Sequence, residues 1–400
     1  MSKVRLGDIA EVITKGTTPT SLGYEFEDSG INFIKIESIT ESGGFINDKF
    51  AHISSECHYA LRRSQLKTND ILFSIAGAIG RVGIVDDSIL PANTNQALAI
   101  IRIPDGIVDY NYLFFYLHSN NISKQYNRKK QGVAQINLSL KDISDFEIEL
   151  PSVYEQIRIA KKIDKVNSLL INTKKRLSIL DELIKSRFVE MFGEPIDNPM
   201  SWDTKRLKDI SILITNGNTP KGGSENYVDD GIVFLRSQNI WRNRIDLTDV
   251  AFIDKATNQK MRKSIVKHKD ILITKTGRIN TENSSLGRAA LYLGEDNSAN
   301  INGHVYLVRL NDSVIPEYIV TILTGEAYRK YIRKVCVGGI DKRQINLDQV
   351  EEFPIIMPPK HLQQQFADFV TQVEKQKATV QQSIDKLETL KKSLMQEYFG

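Results

Sequence analysis

Two stretches of the chain place apolar side chains in alternating steps of four and three. In residues 155–192 they fall at Ile159, Ile163, Val166, Leu170, Leu177, Leu180, Ile184 and Phe188. In residues 362–399 they fall at Phe366, Val370, Val373, Val380, Ile384, Leu387, Leu394 and Tyr398. This is heptad spacing, and it predicts two helices with one narrow apolar seam each. No Pro or Gly interrupts the first, and Gly193 with Pro195 stops it. At about 1.5 Å per residue each helix would be roughly 55 Å long, too long for one small core to wrap. Each seam therefore needs a partner, and the other stretch supplies one. Thr173, Lys377 and Lys391 interrupt the seams. Separate packing of each helix on its own domain would call for a broader apolar face.

The remaining pattern is strand-like, and it occurs twice. LGDIAEVITKGTTP (6–19) corresponds to LKDISILITNGNTP (207–220), GINFIKIESI (30–39) to GIVFLRSQNI (231–240), and NDILFSIAG (69–77) to KDILITKTG (269–277). GRVGIV (80–85) corresponds to GRAALY (287–292), NTNQALAIIR (93–102) to NINGHVYLVR (300–309), and FEIELPSVYEQ (146–156) to FPIIMPPKHLQ (353–363). The helix tails also match, LDELIKSRFVEMFG against LETLKKSLMQEYFG. Short β-branched runs bounded by Gly, Asn and Asp predict strands. Amphipathic helices are expected at 53–64 and 109–127. Strands and helices mix without strict alternation, so the expected class is α+β. The expected domains are 1–154, a long helix 155–193, a second globular part 194–360, and a second long helix 361–400. Two like units joined by matching helices most simply relate by a pseudo-two-fold axis, with the helices antiparallel as a coiled coil. Residues 40–68 and 241–268 share little, and the second unit has an insertion, INTENSSL, at 279–286. A repeated frame with divergent loops suggests two sites of one kind with different specificities.

Composition narrows the class. No run approaches the ~18 apolar residues of a membrane span. The opening MSKVRLGDIAEV does not read as a signal peptide, and Cys57 and Cys336 are the two cysteines, so a cytoplasmic setting is expected. The net charge of +4 divides into −3 over 1–154, +4 over 155–192, +3 over 193–360 and zero over 361–400. No part is basic enough to bind nucleic acid through bulk charge alone. Phosphate loops, HExxH, CxxC, GxSxG and NPPY- or DPPY-like runs are absent from the sequence, so neither catalysis nor a metal site is expected. GAIGRVG (77–83) reads as turn geometry between strands, and His304, which corresponds to Ala97, as strand packing.

Local clusters carry the candidate chemistry. Lys124, Arg128, Lys129 and Lys130 crowd one end of the first unit, and Arg329, Lys330, Arg333, Lys334, Lys342 and Arg343 the matching end of the second. A further group is Lys260, Arg262, Lys263, Lys267 and Lys269. A solvated face is the usual meaning of such runs. Their recurrence beside glycine loops, which can approach a phosphate backbone closely, favours DNA. Lys35 aligns with Arg236 and Glu37 with Gln238, two residues on and so expected on one strand face. Such side chains can read guanine, cytosine or adenine edges. Further candidates are Lys15, Thr17 and Thr18, their counterparts Asn216, Asn218 and Thr219, and Asn93, Asn95, Asn300 and Asn302. Arg81, Gln135, Lys275 and Arg278 complete the set.

Together these residues resemble the specificity subunit of a Type I restriction–modification system. The resemblance spans essentially the whole chain. It rests on the LxDI…GxTP opening, the GI-x-F-[IL]-[KR] strand, the ND/KD-IL…G segment, the INL…F…P…Q junction and the long helix, in that order and twice. It implies two target-recognition domains, each reading one half of a bipartite, asymmetric double-stranded DNA sequence. It also implies a helical spacer that docks methyltransferase (M) and restriction (R) subunits. No catalytic residue, cofactor or metal is implied in this chain; S-adenosylmethionine, ATP and Mg are expected in the partner subunits. The competing readings are a coiled-coil scaffold with protein- or glycan-binding heads, and a recognition fragment of a fused restriction–modification enzyme.

Overall fold

The computed structural model of the chain describes residues 3–40, 42–128, 137–220, 222–281 and 283–400. It divides into two compact units, Met1–Lys174 with Gln382–Gly400, and Lys175–Gln381.

The first unit contains β1 (Lys3–Arg5), α1 (Leu6–Ile9), β2 (Val12–Lys15), β3 (Ile31–Ile34), β4 (Ala51–Ile53), α2 (Ser55–Ala60), β5 (Ile71–Ser74) and β6 (Val82–Ile84). It continues with β7 (Ala92–Thr94), β8 (Leu98–Arg102), α3 (Tyr110–Leu117), α4 (Asn120–Asn127), α5 (Leu140–Ser144), β9 (Glu147–Glu149) and the start of α6 (Val153–Phe192). A four-stranded antiparallel sheet runs β2-β8-β5-β6, and a three-stranded sheet runs β4-β3-β7 with β3 and β7 parallel. β1 pairs with β9, so the unit is closed on itself just before α6 begins.

The second unit repeats this order with β10 (Thr204–Arg206), β11 (Ser211–Asn216), β12 (Ile232–Leu235), β13 (Ile240–Trp241), β14 (Arg244–Ile245), β15 (Ala251–Ile253), α7 (Lys255–Lys260) and β16 (Ile271–Thr274). Then come β17 (Thr276–Arg278), β18 (Ala289–Leu291), β19 (Ala299–Ile301), β20 (Val305–Leu310), α8 (Pro316–Thr324) and α9 (Glu326–Val335). β21 (Val337–Gly338), β22 (Lys342–Gln344), α10 (Leu347–Glu351), β23 (Pro354–Ile356) and the start of α11 (Lys360–Phe399) complete it. The sheets are β11-β20-β16-β18, β15-β12-β19 and β10-β23, with the added pieces β13-β14 and β17-β22-β21.

The frame residues shared by the two units have shared jobs. Asp70, fully buried, holds Arg102 through two contacts, Oδ1 to Nε at 2.7 Å and Oδ2 to Nη2 at 2.6 Å. Asp270 holds Arg309 in the same way at 2.8 and 2.6 Å. Paired forks of this kind are how a buried carboxylate is tolerated. The glutamine that opens each long helix is 1% exposed in both units. Gln156 accepts from the Asp109 N–H at 2.8 Å and donates to the Pro151 carbonyl at 2.9 Å. Gln363 accepts from Ile315 at 3.1 Å and donates to Pro358 at 2.9 Å.

Within each unit, segments of α6 and α11 run antiparallel. In the first, Lys162 donates to the Tyr398 hydroxyl (2.9 Å), Lys391 to Asn167 (2.8 Å), and Lys174 pairs with Glu388 (2.7 Å). In the second, Lys377 pairs with Asp181 at 2.8 Å, and Phe366 meets Phe188 and Phe192 edge-on at 5.4 and 5.7 Å. The seam positions are buried, except that Leu177, Leu387 and Tyr398 are half-buried. Thr173 stays half-buried on the seam with its hydroxyl donating to the Leu169 carbonyl at 2.6 Å.

The tail motif also has a structural reason. Phe399 is 2% exposed and presents its ring to Tyr112 and Tyr116, each at 5.4 Å. Phe192, fully buried, does the same against Tyr318 at 5.0 Å. Gly193 then turns the chain out of α6 at φ 73°.

Three local expectations are corrected. The helix expected at 109–127 is two, α3 and α4, because Ser119 caps the second through the Ile122 N–H. The helix expected at 53–64 is α2 followed by a single turn at Arg62–Ser64. The strand expected at 30–39 ends at Ile34 and gives way to a turn at Ile36–Ser38; its counterpart ends at Leu235.

Candidate nucleic-acid interface

The antiparallel order of the first sheet brings the end of β2, the end of β5 and the start of β8 to one edge, since Lys15 pairs with Ala99 and Ser74 with Leu98. The parallel pair β3 and β7 delivers its ends to the same place. Thr94 donates its hydroxyl to the Ile34 carbonyl (2.9 Å) and accepts at its own carbonyl from Thr17 N–H (3.2 Å). Topology thus gathers Lys15, Thr17, Thr18, Lys35 and Asn95 at one loop end. Thr18 donates to the Gln96 side chain, Asn95 accepts from the Ala97 N–H at 3.1 Å, and the Lys35 ammonium lies 4.4 Å from the Phe26 ring centroid.

The second unit builds the same end with different groups. Asn216 closes β11, Gly217 N–H donates to Val305 at 3.0 Å, and Asn302 N–H donates to Leu235 at 3.0 Å. Asn216, Asn218, Thr219 and His304 are exposed there. Lys275 follows β16, its N–H on the His304 carbonyl (2.9 Å) and its ammonium 5.7 Å from the Tyr306 ring. The ribbon β17-β22-β21 then sets Arg278 opposite Lys342 and Gly277 opposite Arg343. Arg278 pairs with Asp341 at 3.4 Å, and Arg343 donates to the Gly339 carbonyl at 3.2 Å. The matching candidates of the first unit, Lys129, Lys130 and Gln135, lie outside the described residues.

Several candidates have other work. Asn93 and Asn300 are fully buried. Asn93 donates to the Leu61 carbonyl and the Ser64 hydroxyl, both at 3.1 Å. Asn300 donates to Asn258 (2.7 Å) and the Met261 carbonyl (3.2 Å). They satisfy carbonyls at the end of α2 and α7 and have no route to a base edge. Arg81 spends its guanidinium on the carbonyls of Ile36 and Ile39, each at 3.2 Å, and so shapes the turn after β3. Lys35 with Glu37, and Arg236 with Gln238, do not share a strand face, because the strands end before them. Glu37 is exposed on its turn. Arg236 donates to the Asp249 carbonyl at 3.0 Å, and Gln238 to the Asp249 carboxylate at 2.6 Å.

The glycines of the GTTP and GNTP loops serve the chain itself. A Cβ on Gly16 would lie 1.9 Å from the Thr94 carbonyl oxygen, and one on Gly217 2.2 Å from that of Ile301. The close approach expected toward phosphate is spent on the neighbouring strand end. His304 is not strand packing: it stands exposed in the turn before β20.

Sequence reasoning also passed over Gln96 and the group Trp241, Arg242, Arg244 and Arg288. Arg288 corresponds to Arg81 in the repeat, which was the available signal. At the loop ends the exposed groups are amides, hydroxyls and cations, suited to base edges and phosphates. The groups displaced furthest from ordinary pKa values are core tyrosines. Burial pushes Tyr112 and Tyr318 well up, and Tyr306 to about 12. Among the described residues no group of three or more His, Cys, Asp or Glu could hold a metal ion, and no helix is long and apolar enough to cross a membrane.

The chain is similar to known proteins over its full length. A family model described as the Type I restriction modification DNA specificity domain matches residues 1–181 and again residues 199–389. The Type I restriction enzyme MjaIX specificity subunit of Methanocaldococcus jannaschii is 24% identical over 391 residues, covering 92% of this chain and 85% of that one. The MjaX specificity subunit of the same organism is 25% identical over 202 residues, 50% of this chain and 46% of that one, so this match spans about half the relative's length. Among solved structures, a chain from a study of complex assembly and conformational transition of the type I R-M system is 17% identical. It is covered over 97% of its length, against 100% of this chain, with a TM-score of 0.58. That likeness shows a shared fold.

Proposed function

This chain belongs to the Type I restriction modification DNA specificity family, and from that premise we propose that it reads a bipartite, asymmetric DNA sequence, one half with each unit. The carrying observation is the duplicated loop end. The same strands deliver the same backbone positions twice, yet the surface side chains differ: exposed Lys15 and half-buried Thr17 in one stand where exposed Asn216 and Asn218 stand in the other, with a threonine (Thr18 or Thr219) next in both. A shared frame with unlike surface chemistry is what two half-sites of different sequence require.

Under this reading the chain performs no chemistry. Methyltransferase and restriction subunits dock on it and carry S-adenosylmethionine, ATP and Mg, and the assembly works in the cytoplasm. The long helices act as the spacer between half-sites, and the methyltransferase contributes part of the phosphate contact, in keeping with a net charge of only +4.

The test is a domain exchange. Residues 1–150 are replaced with those of a relative, the complex is expressed, and methylated sites are mapped by sequencing. One half of the recognised sequence changes and the other stays. Change in both halves, or in neither, overturns the proposal.

A further inference from the structure

At the β18 side of the second unit's loop end lies a concavity of about 340 Å³ lined by Trp241, Arg242, Arg244, Arg288, Glu326 and Arg329, with Asn283 and Ser284 on its wall. It belongs to that loop end: Asn243 N–H donates to the Ala289 carbonyl at 2.8 Å, where β18 starts beside β16. Four guanidinium groups converge there against two carboxylates, Glu326 in the lining and Asp246 beside it, 3.6 Å from Arg244. Arg288 is only 8% exposed. Its guanidinium lies 3.9 Å from the Trp241 ring centroid and donates to the carbonyls of Ser284 (3.0 Å) and Asn283. Arg244 approaches the same ring at 5.8 Å. Glu326 is shared: Arg242 reaches its Oε1 at 3.0 Å and Arg329 at 3.7 Å.

Burial, and then the neighbouring charge of Arg242, hold the Arg288 guanidinium below its usual pKa, and Arg329 likewise, with Arg333 adding to the repulsion. Like charges confined this closely repel unless an anion joins them. The side chains of Arg242 and Arg244 are 39% and 66% exposed, so an incoming anion can reach them. The planar forks match a phosphate, and the stacked tryptophan fixes two of them in place.

The concavity is made by the β13-β14 hairpin, whose counterpart in the first unit is a turn bridged by Ile39 and Phe45, and by the insertion that supplies Asn283 and Ser284. The first unit has TESGG at residues 40–44, with no arginine. We infer that this concavity seats one backbone phosphate of the DNA duplex, and so anchors the second unit in register without reading a base. The inference rests on the DNA-reading function proposed above. Phosphate contacts of this kind position a protein and carry no sequence information.

The experiment uses the full chain in complex with its methyltransferase subunits. Binding is measured by fluorescence anisotropy on a cognate duplex and on a scrambled one, over a series of KCl concentrations. Arg242→Ala with Arg244→Ala weakens binding about tenfold on both duplexes alike, and the slope of log affinity against log salt falls by about one. Arg242→Lys with Arg244→Lys restores most of that slope, and the methylated sequence does not change. An unaltered slope in the alanine variant, with the unsubstituted complex binding normally, overturns the phosphate seat and leaves the DNA reading standing. A changed half-site sequence overturns it in favour of a base reader. Loss of methyltransferase association with DNA affinity intact overturns it in favour of an acidic protein partner. An unsubstituted complex that binds neither duplex overturns the DNA reading and the seat with it.

Discussion

Phe399→Ala tests the docking of α11 on the first unit. The ring is 2% exposed and meets Tyr112 and Tyr116 edge-on, each at 5.4 Å between centroids, and both tyrosines are 1% exposed. Truncating a fully buried Phe costs about 3–5 kcal/mol, a sum of lost transfer energy and residual cavity. Two aromatic pairs, at about 0.5–1.5 kcal/mol each, fall within that figure. At ~1.4 kcal/mol per decade, the opening equilibrium of this region rises by roughly a hundredfold or more. Hydrogen exchange reads this directly. Amides of Tyr110–Leu117 lose protection by that factor, while those of residues 317–324, in the helix whose Tyr318 meets Phe192, keep theirs. Phe192→Ala produces the mirror result. Phe399→Leu, closer in volume, loses a tenth as much protection or less. Unchanged exchange in α3 for Phe399→Ala would refute the view that the tail phenylalanine fastens the helix.

Other consequences can be checked separately. Asp70→Ala strands the Arg102 charge that it holds at 2.6–2.7 Å, and costs the first unit about 3–5 kcal/mol in urea unfolding; a loss under ~1 kcal/mol refutes the assigned role. Asn300→Ala lowers thermal stability by leaving the Met261 carbonyl and Asn258 without their donor, at about 1–3 kcal/mol, whereas Lys275→Ala weakens DNA binding with melting unchanged. Burial, helped by Lys391 and opposed by the bond to the Phe114 carbonyl, lowers the His118 pKa. The unfolded chain therefore binds more protons between the usual imidazole value near ~6.5 and the lowered one. Stability contributed at this site is full above that window and is lost as pH falls through it; the pH dependence of unfolding in His118→Gln should lack that loss. A heptad inserted after Lys174 and another after Gln381 lengthen each helix by about 10 Å, so methylation mapping finds the unread gap longer by about three base pairs; an unchanged gap counts against the helices as spacer.

The sequence by itself determined the frame. Heptad spacing is a one-dimensional property, so the seam from Ile159 to Ile184 and from Phe366 to Leu394 could be read without knowing its partner. Duplication made the strand segments legible along the chain, because a pattern that occurs twice exposes its frame and its variable loops, while their order in the sheets came from the fold. What each polar side chain does was decided by tertiary structure. Asn93 and Asn95 lie two residues apart and look alike in sequence, yet one is sealed under α2 and the other sits in a turn at the loop end. Arg81 and Arg288 hold one position of the repeat, but the first braces Ile36 and Ile39 while the second stacks on Trp241. Local composition cannot separate these cases. Burial and hydrogen-bond supply are set by residues tens of positions away, brought near only when the sheets and helices have packed.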